Sequence, residues 1–191
     1  MQNNFSTDIY NMFRWKKINL LFILFIIFPL FSEELPQGYK NIFLGMNLEE
    51  TKDALLKEPD FGFHGDRDVS LLPGGSRELI ETDARTGHGS NFLERCYFQF
   101  FMDELYIITI NINPEKMDYY SIFTKLTEKY GQPAEFSPSA ATWKDDNVTM
   151  SLEHPLTLKY IDNKIYKNTQ NYNNVPISPT ETTREMFLDE L

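Results

Sequence analysis

The stretch Arg95–Ile112 constrains this chain more than any other. Two runs rich in aromatic and β-branched residues, Arg95–Met102 and Leu105–Ile112, flank Asp103-Glu104. Such runs around two polar residues predict a β-hairpin. A turn at Asp103-Glu104 sets Met102 against Leu105, Phe100 against Ile107 and Phe98 against Thr109. Tyr97, Phe101, Tyr106, Ile108, Ile110 and Ile112 then share the other face, and Phe100 and Ile110 are expected to be buried on opposite sides. Both faces are largely apolar, so the hairpin belongs at the centre of a sheet covered on both sides. A partner protein is one candidate cover, with Tyr97, Phe101 and Tyr106 as its contacts.

Around this hairpin the periodicity switches between helix and strand. Glu33–Tyr39 reads as a linker and Asn41–Met46 as an extended segment. Asn47 and Glu50 form a capping box before an apolar stripe of Leu48, Leu55 and Leu56, and Pro59 stops that helix. Val69–Leu72 and Arg77–Thr82 predict short strands joined through Pro73-Gly74-Gly75. The rest of 60–92, with glycines at 62, 65, 74, 75, 87 and 89, reads as loop. Asn113-Pro114 opens a second helix with Tyr119, Ile122, Phe123, Leu126 and Tyr130 on one face, ended by Gly131 and Pro133. A meander follows: Thr142–Lys144 around Trp143, then Val148, Met150 and Leu152, then Leu156, Leu158 and Tyr160 in alternation.

These elements predict an α+β fold at residues 39–162. It is a two-layer sandwich, an antiparallel sheet with two main helices on one face. The order helix, strands, helix, strands also fits a duplicated unit with halves at 40–112 and 113–162. From Asn163 the composition changes. Asn163–Asn174 has five asparagines and two lysines among few core residues and is expected to be disordered. Ser178-Pro-Thr-Glu181 is a capping box before a short terminal helix, in which Phe187, Leu188 and Leu191 offer an apolar contact for a partner. The expected arrangement is therefore a domain with a flexible tail over 163–191.

The N-terminus supplies an address. A predominantly apolar run, Ile18–Phe31, follows Arg14, Lys16 and Lys17 and precedes Ser32. A basic flank, a short apolar centre and a small residue match a secretory signal peptide over residues 1–32. A membrane span needs about 20 such residues, so contact with a membrane is expected only through this segment if it stays uncleaved. Met12 offers a second start that places the basic cluster directly before the run. Both starts fit, and both predict a periplasmic or secreted protein.

Charge and cysteine content exclude several classes. The net charge is −10, and the first 32 residues hold three Lys or Arg against one Asp, so cleavage makes the remainder more acidic. Such a body repels nucleic acid and anionic lipid surfaces. Cys96 is the single cysteine, which excludes an internal disulfide and leaves the fold to packing. It sits in a strand-like stretch and reads as a buried, inert thiol.

Catalytic signals are sparse. Gly-x-Ser-x-Gly, a phosphate-binding glycine loop, His-Glu-x-x-His and Cys-x-x-Cys are all absent from the sequence. His64, Asp66 and Asp68 form one metal-like cluster, but the calcium-loop spacing is missing and a solvated loop explains them. His88 lies between glycines, and His154 precedes Pro155 at a hairpin corner. No cofactor is expected.

Two segments carry a resemblance. Leu44-Gly-Met-Asn-Leu-Glu-Glu-Thr-Lys-Asp-Ala-Leu-Leu resembles a helix start, and Leu126-Thr-Glu-Lys-Tyr-Gly-Gln-Pro a helix end, of small bacterial envelope modules. These include the SmpA/OmlA-like outer-membrane assembly lipoproteins and the tandem-repeat β-lactamase inhibitory proteins. The resemblance covers 44–56 and 126–133 only. It implies a helix packed on an antiparallel sheet and a role in binding proteins without catalysis. A lipid-accepting cysteine and the inhibitory proteins' disulfides are missing here. The expected function is an exported, non-catalytic envelope protein with a protein partner. The alternative is an envelope hydrolase or ligand- or metal-binding enzyme using the 60–92 loops.

Overall fold

A computed structural model describes residues 34–72, 76–86 and 92–173. The N-terminal apolar run, His88 and the terminal segment with Phe187, Leu188 and Leu191 lie outside these residues. The fold is α+β. A small hairpin, β1 (Gly38–Tyr39) and β2 (Ile42–Phe43), leads to α1 (Leu48–Leu56). Four strands follow: β3 (Val69–Leu71), β4 (Arg77–Asp83), β5 (Leu93–Phe101) and β6 (Glu104–Ile112). Then come α2 (Tyr119–Tyr130), β7 (Glu135–Phe136), β8 (Ala140–Lys144), β9 (Val148–Glu153), β10 (Thr157–Asp162) and α3 (Asn163–Asn173).

Strands β3 to β10 form one antiparallel sheet in the order β3-β4-β5-β6-β10-β9-β8-β7. That order is palindromic about the β6–β10 junction. Each half is one helix followed by a four-strand meander, and the fourth strands of the two meanders pair antiparallel. The chain thus repeats one helix-plus-strands unit about an approximate two-fold between β6 and β10.

Helix α1 begins where the capping box directs it. The Asn47 side chain accepts from Glu50 N at 2.9 Å, and the Glu50 carboxylate accepts from Asn47 N at 3.0 Å. Thr51, Ala54 and Leu55 are buried, whereas Leu56, expected on the apolar stripe, is 63 % exposed. Helix α2 starts later than Asn113-Pro114 suggests. Asn113 holds a turn over 114–116, and the cap is Asp118, whose carboxylate accepts from Ser121 N at 2.8 Å. The expected face of α2 packs on the core through Tyr119, Ile122, Phe123, Leu126 and Tyr130. Glu33–Tyr39 is more than a linker, because Gly38 and Tyr39 pair with β2. A Cβ at Gly38 would lie 2.0 Å from the Ile42 carbonyl oxygen, so this hairpin requires glycine.

The central hairpin forms with a different register. Its two-residue turn is Met102-Asp103, both with positive φ (50° and 64°), and Phe101 pairs with Glu104. This is the backbone twist that short hairpins favour. Asp103 suits it and also serves α1, since its carboxylate accepts from Leu48 N at 3.0 Å. Next, Phe100 pairs with Leu105 but Gln99 with Ile107, so Tyr106 is an extra residue in a bulge. Beyond it Phe98 faces Ile108 and Cys96 faces Ile110. A one-residue slip inverts which side chains share a face. Phe100 and Ile110 are therefore both buried, but on the same face, in the single core beneath α1 and α2.

That core joins Ile80, Phe98, Phe100, Ile108 and Ile110 of the first unit to Trp143, Met150, Leu152 and Tyr160 of the second. Cys96 lies inside it with no exposed surface, and burial pushes its thiol up to about 12. Burial also raises Tyr160. Both groups favour their neutral forms when folded. Their contribution is present in full below the ordinary cysteine and tyrosine range and is lost as the pH rises through it. Two results are expected. At pH 8, Ellman's reagent should modify native Cys96 at least about a thousandfold more slowly than a free thiol, because access needs substantial opening. The melting temperature should also fall above about pH 9. Fast labelling of the folded protein would place Cys96 outside the core.

The segment after Asp162, expected to be disordered, is helix α3. Asp162 caps it by accepting from Ile165 N at 2.8 Å. Asn163 is fixed by three bonds to the β8–β9 turn: its N–H to Asn147 O (2.9 Å), its amide to Asp145 O (3.0 Å), and its amide oxygen accepting from Thr149 Oγ1 (2.6 Å). Ile165 and Thr169, four residues apart, are buried. Too few apolar residues mark this helix for its pattern to be visible in the sequence. Docking on the sheet supplies the stability that its composition lacks.

Candidate functional site

With α1 and α2 on one face, the sheet presents a second face whose composition follows from register. Glu81 pairs with Tyr97, Tyr97 with Thr109, Thr109 with Lys159, Lys159 with Ser151, Ser151 with Thr142 and Thr142 with Glu135. Adjacent strands thus carry these seven side chains in one row from β4 to β7. One aromatic, three hydroxyls, one lysine and two carboxylates make it a mixed polar surface. Above it, Asp83 pairs with Arg95 on β4 and β5, and Asn111, Thr157 and Glu153 line up on β6, β10 and β9, the two parts separated by an irregularity of β5 between Leu93 and Cys96. A row below runs through Leu79, Gln99, Ile107, Ile161, Thr149 and Lys144.

Ion pairs and hydrogen bonds order this face. Lys159 Nζ donates to both oxygens of Glu153 at 2.8 and 3.0 Å, and Ser151 Oγ donates to the same carboxylate at 2.9 Å. Thr157 Oγ1 donates to Asn111 at 2.8 Å. Arg95 donates to Glu81 at 3.0 Å. At the β4 end, Arg85 hydrogen-bonds Asp83 and holds its carboxyl down to about 2. Side chains held this way have little conformational freedom left to lose.

Helix α3 covers one end of this face. Phe101 and Tyr106 pack with Ile165, and the Phe101 and Tyr172 rings meet edge-on at 5.4 Å. This corrects two of the residues assigned to a partner. Phe101 is 4 % and Tyr106 7 % exposed, and the chain's own helix is their cover. Tyr97, half-buried, remains on the uncovered part. The row signal was present in the sequence as alternation, but it emerges only once the register of seven strands is known.

The 60–92 candidates are arranged as loop-closing groups. The Asp68 carboxylate accepts from His64 N at 2.7 Å, while Asp66 is ion-paired with Lys52 at 2.9 Å. Among the described residues, no three His, Cys, Asp or Glu side chains converge as metal ligands. His154 stacks on Tyr119 with ring centres 4.0 Å apart, a packing role at the hairpin corner. Among the described residues no helix is long and apolar enough to cross a membrane.

No curated protein and no solved structure matches the chain significantly. A family model does: that of the TP0088 domain matches residues 37–172, from the residue before β1 to the last turn of α3. The match takes in both helix-plus-strands units, the uncovered face and the helix at its end, and on that extent the chain belongs to the TP0088 domain family.

Proposed function

We propose that this is an exported, non-catalytic binding module that engages an envelope protein through the uncovered face of its sheet. The observation that carries the reading is the seven-residue row from Glu81 to Glu135. It is a broad, ordered surface with a tyrosine and a lysine on either side of Thr109, and among the described residues no helix lies along most of it. Tyrosine is favoured at recognition surfaces because its ring gives contact area and its hydroxyl a hydrogen bond. Export rests on Ile18–Phe31 behind its basic cluster, and N-terminal sequencing of the mature protein should begin near Glu33.

The test is a photo-crosslinking residue at Tyr97 compared with one at Lys57, the exposed residue after α1. In cells, position 97 should yield a discrete protein adduct and position 57 should not. Thr109→Arg, placed in the centre of the row, should abolish that adduct while moving the melting temperature by no more than a few degrees. An adduct that survives Thr109→Arg, or one formed equally from Lys57, would rule out the sheet face as the binding surface.

A further inference from the structure

A groove of about 700 Å³ lies on the second unit, between α3 and the β8–β9 turn. Its volume falls within the range of small-ligand sites, about 300–1,000 Å³. Thr149 and Ile161, paired across β9 and β10, form the floor. Helix α3 supplies one wall through Asn163, Tyr166, Lys167, Gln170 and Asn171, whose i, i+3, i+4, i+7, i+8 spacing marks a single face. Lys144 and Asp146 stand at the turn. The groove has a structural origin. Helix α3 rests on Phe101 and Tyr106 of the first unit, whereas the second unit offers the smaller Thr149 and Ile161 beside it.

The lining divides into groups already committed and groups still open. Asn163, Thr149 and Asp145 bond to one another and to the turn. The side chains of Lys144, Asp146, Lys167 and Gln170 make no hydrogen bond or ion pair among the described residues, and the Tyr166 hydroxyl makes no hydrogen bond there. Tyr166 is 40 % exposed.

We propose that this groove binds a short, neutral oligosaccharide. Ile161 and Tyr166 are the apolar side chains of the lining, and an apolar ligand would leave the lining's ammonium, amide and carboxylate groups without partners. A multiply charged anion would meet Asp145 and Asp146 on a chain of net charge −10, and a cation would meet Lys144 and Lys167. A sugar hydroxyl both donates and accepts, which suits a lining that mixes ammonium, amide and carboxylate groups. The Tyr166 ring offers a flat apolar surface for the C–H face of a pyranose, leaving its hydroxyl for a ring substituent. The groove adjoins the protein-binding row: Thr149 and Ile161 lie two residues along β9 and β10 from Ser151 and Lys159, on the same face, so the sugar titration is read at Tyr166 and Gln170 of α3, which the row does not include.

The test is a two-dimensional amide NMR titration of the full folded chain with maltotriose, cellotriose and chitotriose, each taken into the millimolar range. At least one should shift the amides of Lys144, Thr149, Tyr166 and Gln170 together and saturably. Tyr166→Ala should weaken that binding about tenfold, and Tyr166→Phe should retain most of it, because the ring provides the stacking. Gln170→Ala should also weaken it severalfold, with the melting temperature unchanged in all three variants. No saturable shift with any of the three sugars would overturn the proposal. So would binding indifferent to Tyr166→Ala, or saturable binding of an acidic control peptide at the same amides.

Discussion

Phe100→Ala is expected to lower the melting temperature by about 6–20 °C. Phe100 has no exposed surface and sits in β5 opposite Leu105, in the core shared by both units. Truncating a buried phenylalanine costs about 3–5 kcal/mol, because the transfer energy is lost and a cavity remains. For a domain of this size each kcal/mol moves the midpoint by about 2–4 °C. Total stabilities of about 5–15 kcal/mol leave little reserve, so the variant should also express poorly. Met102→Ala, in the adjacent turn, is the matched control. Met102 is 57 % exposed, and its replacement should stay within about 0.5 kcal/mol. Equal melts for the two variants, by calorimetry or circular dichroism, would mean that Phe100 is not in the core.

The same hairpin shows where sequence reasoning works and where it stops. The two strands were legible as dense runs of aromatic and β-branched residues. Their register was not, because Met102-Asp103 lacks the Asn-Gly or Asp-Gly signature of a tight turn. What fixes that turn is the Asp103 bond to Leu48 N, a contact across 55 positions. The Tyr106 bulge adds a second shift that no local pattern announces. The α1 cap, by contrast, was legible because Asn47 and Glu50 satisfy each other within four residues.

The candidate site was less legible than the fold for the same reason. The sequence groups Ile108, Ile110 and Ile112 on one hairpin face with Phe101 and Tyr106, whereas the Tyr106 bulge turns the three isoleucines to the main core and leaves the other face to Phe101 and Tyr106. Their cover was sought in a partner because the segment that supplies it, with five asparagines, has no visible helical stripe. The row from Glu81 to Glu135 draws one residue from each of seven strands, and a single misregistered pair would scramble it.

The second large effect is expected at α3. A chain truncated after Asp162 should melt well below one truncated after Asn173, with a difference of about 2–4 kcal/mol. The shorter chain exposes Phe101, Tyr106 and Ile107 and loses Ile165 and the Asn163 bonds to the β8–β9 turn. Burying one such side chain is worth about 1.5–3 kcal/mol. Ordering eleven helical residues offsets part of that gain. The comparison isolates α3, since both chains lack the same residues beyond 173. The uncovered aromatics should also bind a hydrophobic dye such as ANS, which the longer chain should not. Ile165→Asp offers an independent route in the intact protein. It places a carboxylate at a side chain 7 % exposed, and the helix must then undock or the charge be neutralised. Undocking should leave the first core folded, because Phe98, Phe100 and Ile110 lie on the opposite face of the sheet. If both truncated chains melt together and neither binds dye, α3 is not docked on Phe101 and Tyr106, and the groove beside it loses its wall.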